Sequence, residues 1–210
     1  MATPQCEHCL NSVRVHRADF GPLLAHGDLQ RKPGFAWRVK TLRGWMIQGG
    51  LQQAKRRRAQ QVHSPHARRE CSGKWVQIDD SHHDWFWCRS GKYWLTAFIE
   101  GATGRLPGAE FFEHETTQGK LSVLHGLVQG HGAPPALYSD RPGIFTKHAP
   151  DDSKPTRVEG ALLQLNIGLI CAHSPQAKGR IERLFQTLQD RMCKAMRLAG
   201  IDTTEQANSW

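Results

Sequence analysis

Hydrophobic and polar positions change their period near Lys74. Before it, Phe20, Leu23, Leu24 and Leu29 recur at helical spacing. Trp37, Val39, Leu42, Trp45, Met46 and Leu51 repeat that pattern, interrupted by Gly49-Gly50, so residues 18–50 read as two short helices. After Lys74 the runs shorten and favour β-branched and aromatic residues, predicting strands at 75–79, 93–99 and 109–113. Residues 117–131 return to a helical period, with Leu121, Leu124, Leu127 and Val128 on one face. A short strand at 136–138, a helix at 158–166, a strand at 168–172 and a long helix at 175–199 follow. Three consecutive strands followed by alternating helix and strand is an α/β order. It matches a ribonuclease-H-like core, a mixed five-stranded sheet with flanking helices, preceded here by a small all-α region.

Charge sharpens this division. The net charge of +9 is entirely in the first third: residues 1–74 carry +10 and residues 75–210 carry −1. A basic front end on a near-neutral body is the footprint of a nucleic-acid-binding arm. The helical pair with its Gly-containing connection and flanking Arg/Lys fits a helix-turn-helix, with Arg38, Lys40 and Arg43 as the DNA-facing candidates. Residues 52–72 form a linker rich in Arg, Gln, Ser and His. Its Lys55, Arg56, Arg57 and Arg58 suit a tether lying along phosphates without reading bases. The expected organisation is a weakly patterned start at 1–17, a helix-turn-helix region at 18–51, the linker, the α/β core at 73–201 and a tail at 202–210.

Other classes are disfavoured. Mean hydropathy is −0.56 and no run of about 20 apolar residues exists, so a membrane-spanning helix is not expected. The start lacks the apolar core of a signal peptide, and the six cysteines do not follow framework spacings, which points to reduced thiols in a cytoplasm. Cys6-Glu7-His8-Cys9 is a lone C-x-x-C with no second ligand pair at finger spacing, a poor basis for a zinc site.

Candidate chemistry gathers at three acidic points. Gln77-Ile78-Asp79-Asp80 closes the first core strand, Tyr138-Ser139-Asp140-Arg141 closes the fourth, and Lys178-Gly179-Arg180-Ile181-Glu182-Arg183 opens the long helix. Carboxylates where strands meet solvent suit a hard cation such as Mg²⁺, but one carboxylate does not hold a catalytic metal alone. Asp79 and Asp80 compete for the first position.

These segments, together with the string Ile170-Cys171-Ala172-His173-Ser174-Pro175-Gln176-Ala177, resemble DDE-type insertion-sequence transposases of the ISNCY kind, relatives of retroviral integrases. The resemblance runs from about Ala18 to Ile201. It implies catalytic and metal-binding roles for Asp79, Asp140 and Glu182, with Asp79 bridging two Mg²⁺ ions (Mn²⁺ substituting) and the other two acids binding one each. Lys178 and Arg180, which lie next to Glu182, are expected to hold backbone phosphates near the metals. The partners implied are element ends and target DNA, with a homo-oligomer formed on them in a bacterial, nucleoid-associated setting. The expected activity is DNA cleavage at element ends and strand transfer. The alternatives are an inactive, shortened DNA-binding remnant and a metal-dependent nuclease of the same fold.

Several positions depart from the pattern of such transposases. Arg38 stands where a helix-capping Ser is usual, Gly44 where an Arg is usual, and Asp80 where a small residue is usual. Glu100-Gly101 replaces an acidic pair, and Arg157-Val158-Glu159 replaces a Gln-Phe-Gly-like helix entry. An extra carboxylate at Asp80 would be expected to repel the metal-binding cluster. With the chain's stop at Trp210, these departures lead to the expectation of a decayed, C-terminally truncated copy.

Overall fold

A computed structural model describes residues 4–52, 75–139, 155–171 and 179–210. The chain divides into two compact units, Met1–Ser64 and Pro65–Trp210.

The first unit contains three helices: α1 (Pro4–His16), α2 (Pro22–Leu29) and α3 (Val39–Gln48). The weakly patterned start is itself a helix: Cys6, Leu10 and Val13 enter the same core as Phe20, Ala25, Leu29, Leu42 and Met46. Its stripe was hard to see because two of the buried side chains on this helix, Cys6 and Cys9, are cysteines, which behave in a core as small hydrophobes. Leu23, assigned to the apolar stripe of α2, is 57% exposed, and Ala25 takes the buried position instead. Arg17 anchors the α1–α2 corner by pairing with Asp28. It also donates to the Ser12 carbonyl and hydroxyl, each at 3.1 Å. The connection between α2 and α3, residues 30–38, is longer than the three- or four-residue turn of a tight helix-turn-helix.

The second unit is built on a five-stranded sheet in the order β3-β2-β1-β4-β5. The strands are β1 (Val76–His83), β2 (Tyr93–Glu100), β3 (Gly108–Phe112), β4 (Ala136–Ser139) and β5 (Gly168–Cys171). β1 to β3 form an antiparallel meander, whereas β4 lies parallel to β1 and β5 parallel to β4. This is the mixed sheet expected from the order of elements. β1 runs four residues further than its hydrophobic run suggested, because Asp80 to His83 continue to pair with residues 93–96 of β2.

Successive side chains on a strand point to opposite faces, and each face has its own core. On one side Val76, Ile78, Phe98 and Leu137 pack with Val123, Leu124 and Leu127 of α4 (Thr117–His131) and Val158 and Leu162 of α5 (Arg157–Gln164). On the other, Leu95, Ala97, Ile99 and Phe111 pack with Ile181, Phe185, Cys193 and Met196 of α6 (Gly179–Leu198), together with Trp85 and Phe86. The helix starts are well made. Thr116 caps α4 by accepting from the Gly119 N–H at 3.0 Å. Thr156 and Glu159 form a reciprocal capping box on α5.

The last residues are also structured. Helix α7 (Thr204–Ser209) brings the Asn208 amide to the edge strand β3. There its oxygen accepts from the Phe111 N–H at 2.7 Å and its nitrogen donates to the Phe111 carbonyl at 3.0 Å. One side-chain amide thus imitates the pairing of a further strand at an edge that otherwise offers unpaired backbone groups.

Candidate active site

The β1–β2 register decides which residues share a face. Directly opposed residues of an antiparallel pair project to the same side. Asp79 lies opposite Ala97, and Ser81 opposite Leu95, so Asp79 belongs to the α6 face of the sheet. Asp80 lies opposite Thr96 and belongs to the α4 face, in the row of Val76 and Ile78.

Their surroundings differ accordingly. The Asp80 side chain is 2% exposed and pairs with Lys120 Nζ at 2.8 Å; the Thr96 hydroxyl donates to its other oxygen. Lys120, 3% exposed, also holds Glu115 at 2.7 Å. The expectation that Asp80 repels the metal-binding cluster is therefore corrected: its charge is opposed by Lys120 on the far side of the sheet. Asp79 is half-buried, and its Oδ1 accepts the N–H of Asp80 at 2.9 Å.

Helix α6 carries the next candidate carboxylate, Glu182. Gln189 donates to the Ser81 hydroxyl at 3.1 Å, tying the helix to the strand row that contains Asp79. Glu182 lies seven residues earlier, close to two full turns, and so falls on the same stripe as Gln189, about 10 Å along the axis. Ile181 and Phe185 seat that end of the helix in the core while Glu182 stays exposed.

The other predicted site residues divide clearly. Arg38, Lys40 and Arg43 are exposed on or beside α3, and Arg38 occupies the N-cap without a side-chain cap hydrogen bond. Asp140, Lys55, Arg56, Arg57, Arg58, Lys178 and the Arg180 side chain lie outside the described residues. Among the described residues no three metal-ligating side chains cluster. The two carboxylates that are described, one half-buried and one exposed on a common face, are the oxygen donors a hard divalent cation takes. Their donor chemistry fits that ion.

In the segment between β1 and β2, Trp85 and Phe86 are fully buried, and the Trp85 indole donates to the Ser81 carbonyl at 3.3 Å. Burial, as the largest cause, pushes the His83 pKa below its ordinary value; Asp84 opposes this and Lys92 adds to it. Burial likewise raises the Cys193 thiol to about 11, leaving it a neutral packing group.

Lys120 escaped the sequence reading, although a signal was present. It precedes Val123, Leu124 and Leu127 at helical spacing, which places it on the buried stripe of α4, where a lysine requires a partner.

No family model matches the chain. Over 207 residues, 97% of its length, it is 40% identical to "Putative transposase y4bF" of Sinorhizobium fredii. Over 154 residues it is 35% identical to the transposase for insertion sequence IS1202 of Streptococcus pneumoniae. The chain is a homologue of transposases. It spans 45% and 33% of the lengths of these two relatives. The fold of this transposase homologue also matches solved structures. A chain of the simian T-cell lymphotropic virus intasome, determined with a PP2A regulatory subunit, aligns with 90% of the homologue and 66% of its own length, at a TM-score of 0.55 and 16% identity. The HTLV-2 integrase catalytic core domain in complex with magnesium aligns with 67% of the homologue and 83% of its own length, at a TM-score of 0.52 and 14% identity. At these identities the likeness establishes the integrase-type, ribonuclease-H-like fold alone.

Proposed function

We propose that this chain carries the catalytic core of a DDE-type transposase, which cleaves DNA at element ends and transfers the freed 3′ ends into target DNA. The observation that carries the reading is the common face of Asp79 and the Glu182-bearing helix, in a chain homologous to transposases along nearly its whole length. A further regularity supports Asp140 as the third member. β1 and β4 pair with Val76 opposite Leu137 and Gln77 opposite Tyr138. The offset in that register equals the sequence separation of Asp79 and Asp140.

In this reading Asp79, Asp140 and Glu182 hold Mg²⁺, and Mn²⁺ substitutes for it. Bound there, the metal supplies Lewis-acid stabilisation of the attacking and leaving oxygens of an in-line displacement at phosphorus. The protein's part is to converge the carboxylates and orient the substrate. Sheet register fixes Asp79, and the Gln189–Ser81 bond fixes the helix that carries Glu182. Lys178 and Arg180 hold backbone phosphates beside Glu182. Arg38, Lys40 and Arg43 on α3, and the basic run Lys55 to Arg58, bind the duplex through its phosphates. The chain works as a homo-oligomer on DNA, in the bacterial nucleoid.

The test is Mg²⁺-dependent cleavage and strand transfer on a labelled duplex carrying the flanking element's ends. Wild type is expected to join ends to target, and Asp79→Asn, Asp140→Asn and Glu182→Gln to retain end binding without joining. Cleavage without joining indicates a nuclease, and end binding without either step indicates a DNA-binding remnant. Activity that survives Asp79→Asn refutes the proposed site.

A further inference from the structure

We infer that the buried Asp80–Lys120 ion pair, completed by Thr96, is a positioning device that sets the carboxylate of Asp79 for metal binding. The inference rests on the reading of Asp79 as a metal ligand, and its subject is a set of residues outside the proposed triad.

Three observations carry it. First, Asp79 and Asp80 share a peptide unit whose N–H, that of Asp80, is taken by Asp79 Oδ1 at 2.9 Å. Any rotation of that unit carries Asp79's own hydrogen-bond donor with it. Second, the unit is fixed from behind. Asp80 is gripped at one oxygen by Lys120 and at the other by the Thr96 hydroxyl, and Lys120 is gripped in turn by Glu115. Thr96 is the residue directly across from Asp80 on β2, so the grip spans the strand pair as well as the helix. Third, the pair is a poor choice for stability. Its side chains are 2% and 3% exposed, in a layer otherwise filled by Val76, Ile78, Phe98, Val123 and Leu124. A well-packed apolar pair there would hold the fold as well or better, because two desolvated charges rarely repay their hydration. Directionality is what apolar side chains would not supply. Charge-assisted hydrogen bonds fix orientation, and groups hydrogen-bonded behind a metal ligand typically govern affinity by about 10–100-fold.

The experiment measures Mn²⁺ binding to the full chain by electron paramagnetic resonance, at a temperature well below its melting transition. Thr96→Val removes one grip with little change in volume. Asp80→Asn combined with Lys120→Met removes both charges of the buried pair, leaving Glu115, whose side chain is 20% exposed, without its lysine contact. Asp79→Asn reports the site itself. The expected result is loss of the tightest Mn²⁺ site in Asp79→Asn and roughly tenfold weaker binding in the other two variants. Wild-type Mn²⁺ affinity in Thr96→Val and in the double variant, alongside loss in Asp79→Asn, overturns the positioning role while leaving the site reading intact. Unchanged binding in Asp79→Asn overturns both. If the double variant fails to fold, Thr96→Val alone decides.

Discussion

Gly101 offers the most direct test of how β1 and β2 are joined beneath the site. It follows β2, and its N–H donates to the Trp75 carbonyl, just before β1, at 3.2 Å. A Cβ built on Gly101 would lie 2.5, 2.7 and 2.9 Å from three atoms of the Trp75 ring. All three separations are far inside van der Waals contact. The ring cannot simply swing away, because Tyr138 lies against it with centroids 5.3 Å apart. Overpacking of this kind costs about 1–3 kcal/mol. Alanine at a backbone conformation it tolerates returns about 0.4–1 kcal/mol by restricting the unfolded chain. Gly101→Ala is therefore expected to destabilise the second unit by roughly 1–2 kcal/mol. In a Trp75→Leu background the same change is expected to be neutral or mildly stabilising, a coupling of about 2 kcal/mol. Urea denaturation of the four proteins of this double-mutant cycle, followed by near-ultraviolet circular dichroism, measures it. Equal costs of Gly101→Ala in the two backgrounds would refute the reasoning.

Four further outcomes are expected. Asn208→Ala removes both hydrogen bonds to Phe111 and is expected to cost roughly 1–3 kcal/mol, with faster amide exchange along β3 measured by deuterium uptake. Asp79→Asn and Glu182→Gln are expected to lower strand transfer by about a thousandfold or more, since about 4 kcal/mol of charge stabilisation is lost, while gel-shift affinity for element ends stays unchanged. Lys40→Ala and Arg43→Ala are each expected to weaken DNA binding and to reduce the slope of log affinity against log salt by about one. The last outcome concerns pH. His83 has a native pKa below its unfolded value, so the unfolded chain binds more protons and stability rises with pH through that window. Acidification through the ordinary histidine range is expected to lower the melting temperature, and His83→Gln to flatten that dependence.

Much of the fold was legible because the strongest signals were local. The period of Leu121, Leu124, Leu127 and Val128 announced α4, and the five strands emerged from short apolar runs bounded by glycine and proline. What escaped depends on partners distant in sequence. Strand β1 continues through Asp80 to His83 because β2 pairs with it, and polar residues give no warning of that. The choice between Asp79 and Asp80 needed a register, since both are acids in one run and only the pleat separates them. Two departures from the transposase pattern also look different in three dimensions. Gly101 is the residue the Trp75 ring leaves room for, and Glu159 completes a capping box with Thr156. Neither position shows decay. Residues 202–210, read as a tail, hold the helix that closes the β3 edge. A lone asparagine aimed at a strand leaves no periodic trace.

The docking of α6 on the Asp79 row also governs when the site is made during synthesis. Asp79 leaves the ribosome early and can pair into the β1–β2 hairpin at once, since hairpins close within microseconds. Glu182 and the Gln189 contact that orients it are translated about a hundred residues later, several seconds at bacterial elongation rates. Until then the nascent chain lacks Glu182, one of the three acids of the proposed set. Under the proposed function, the three acids would converge only after α6 has been made and docked, so the last helix would set the moment at which the chain becomes competent for chemistry.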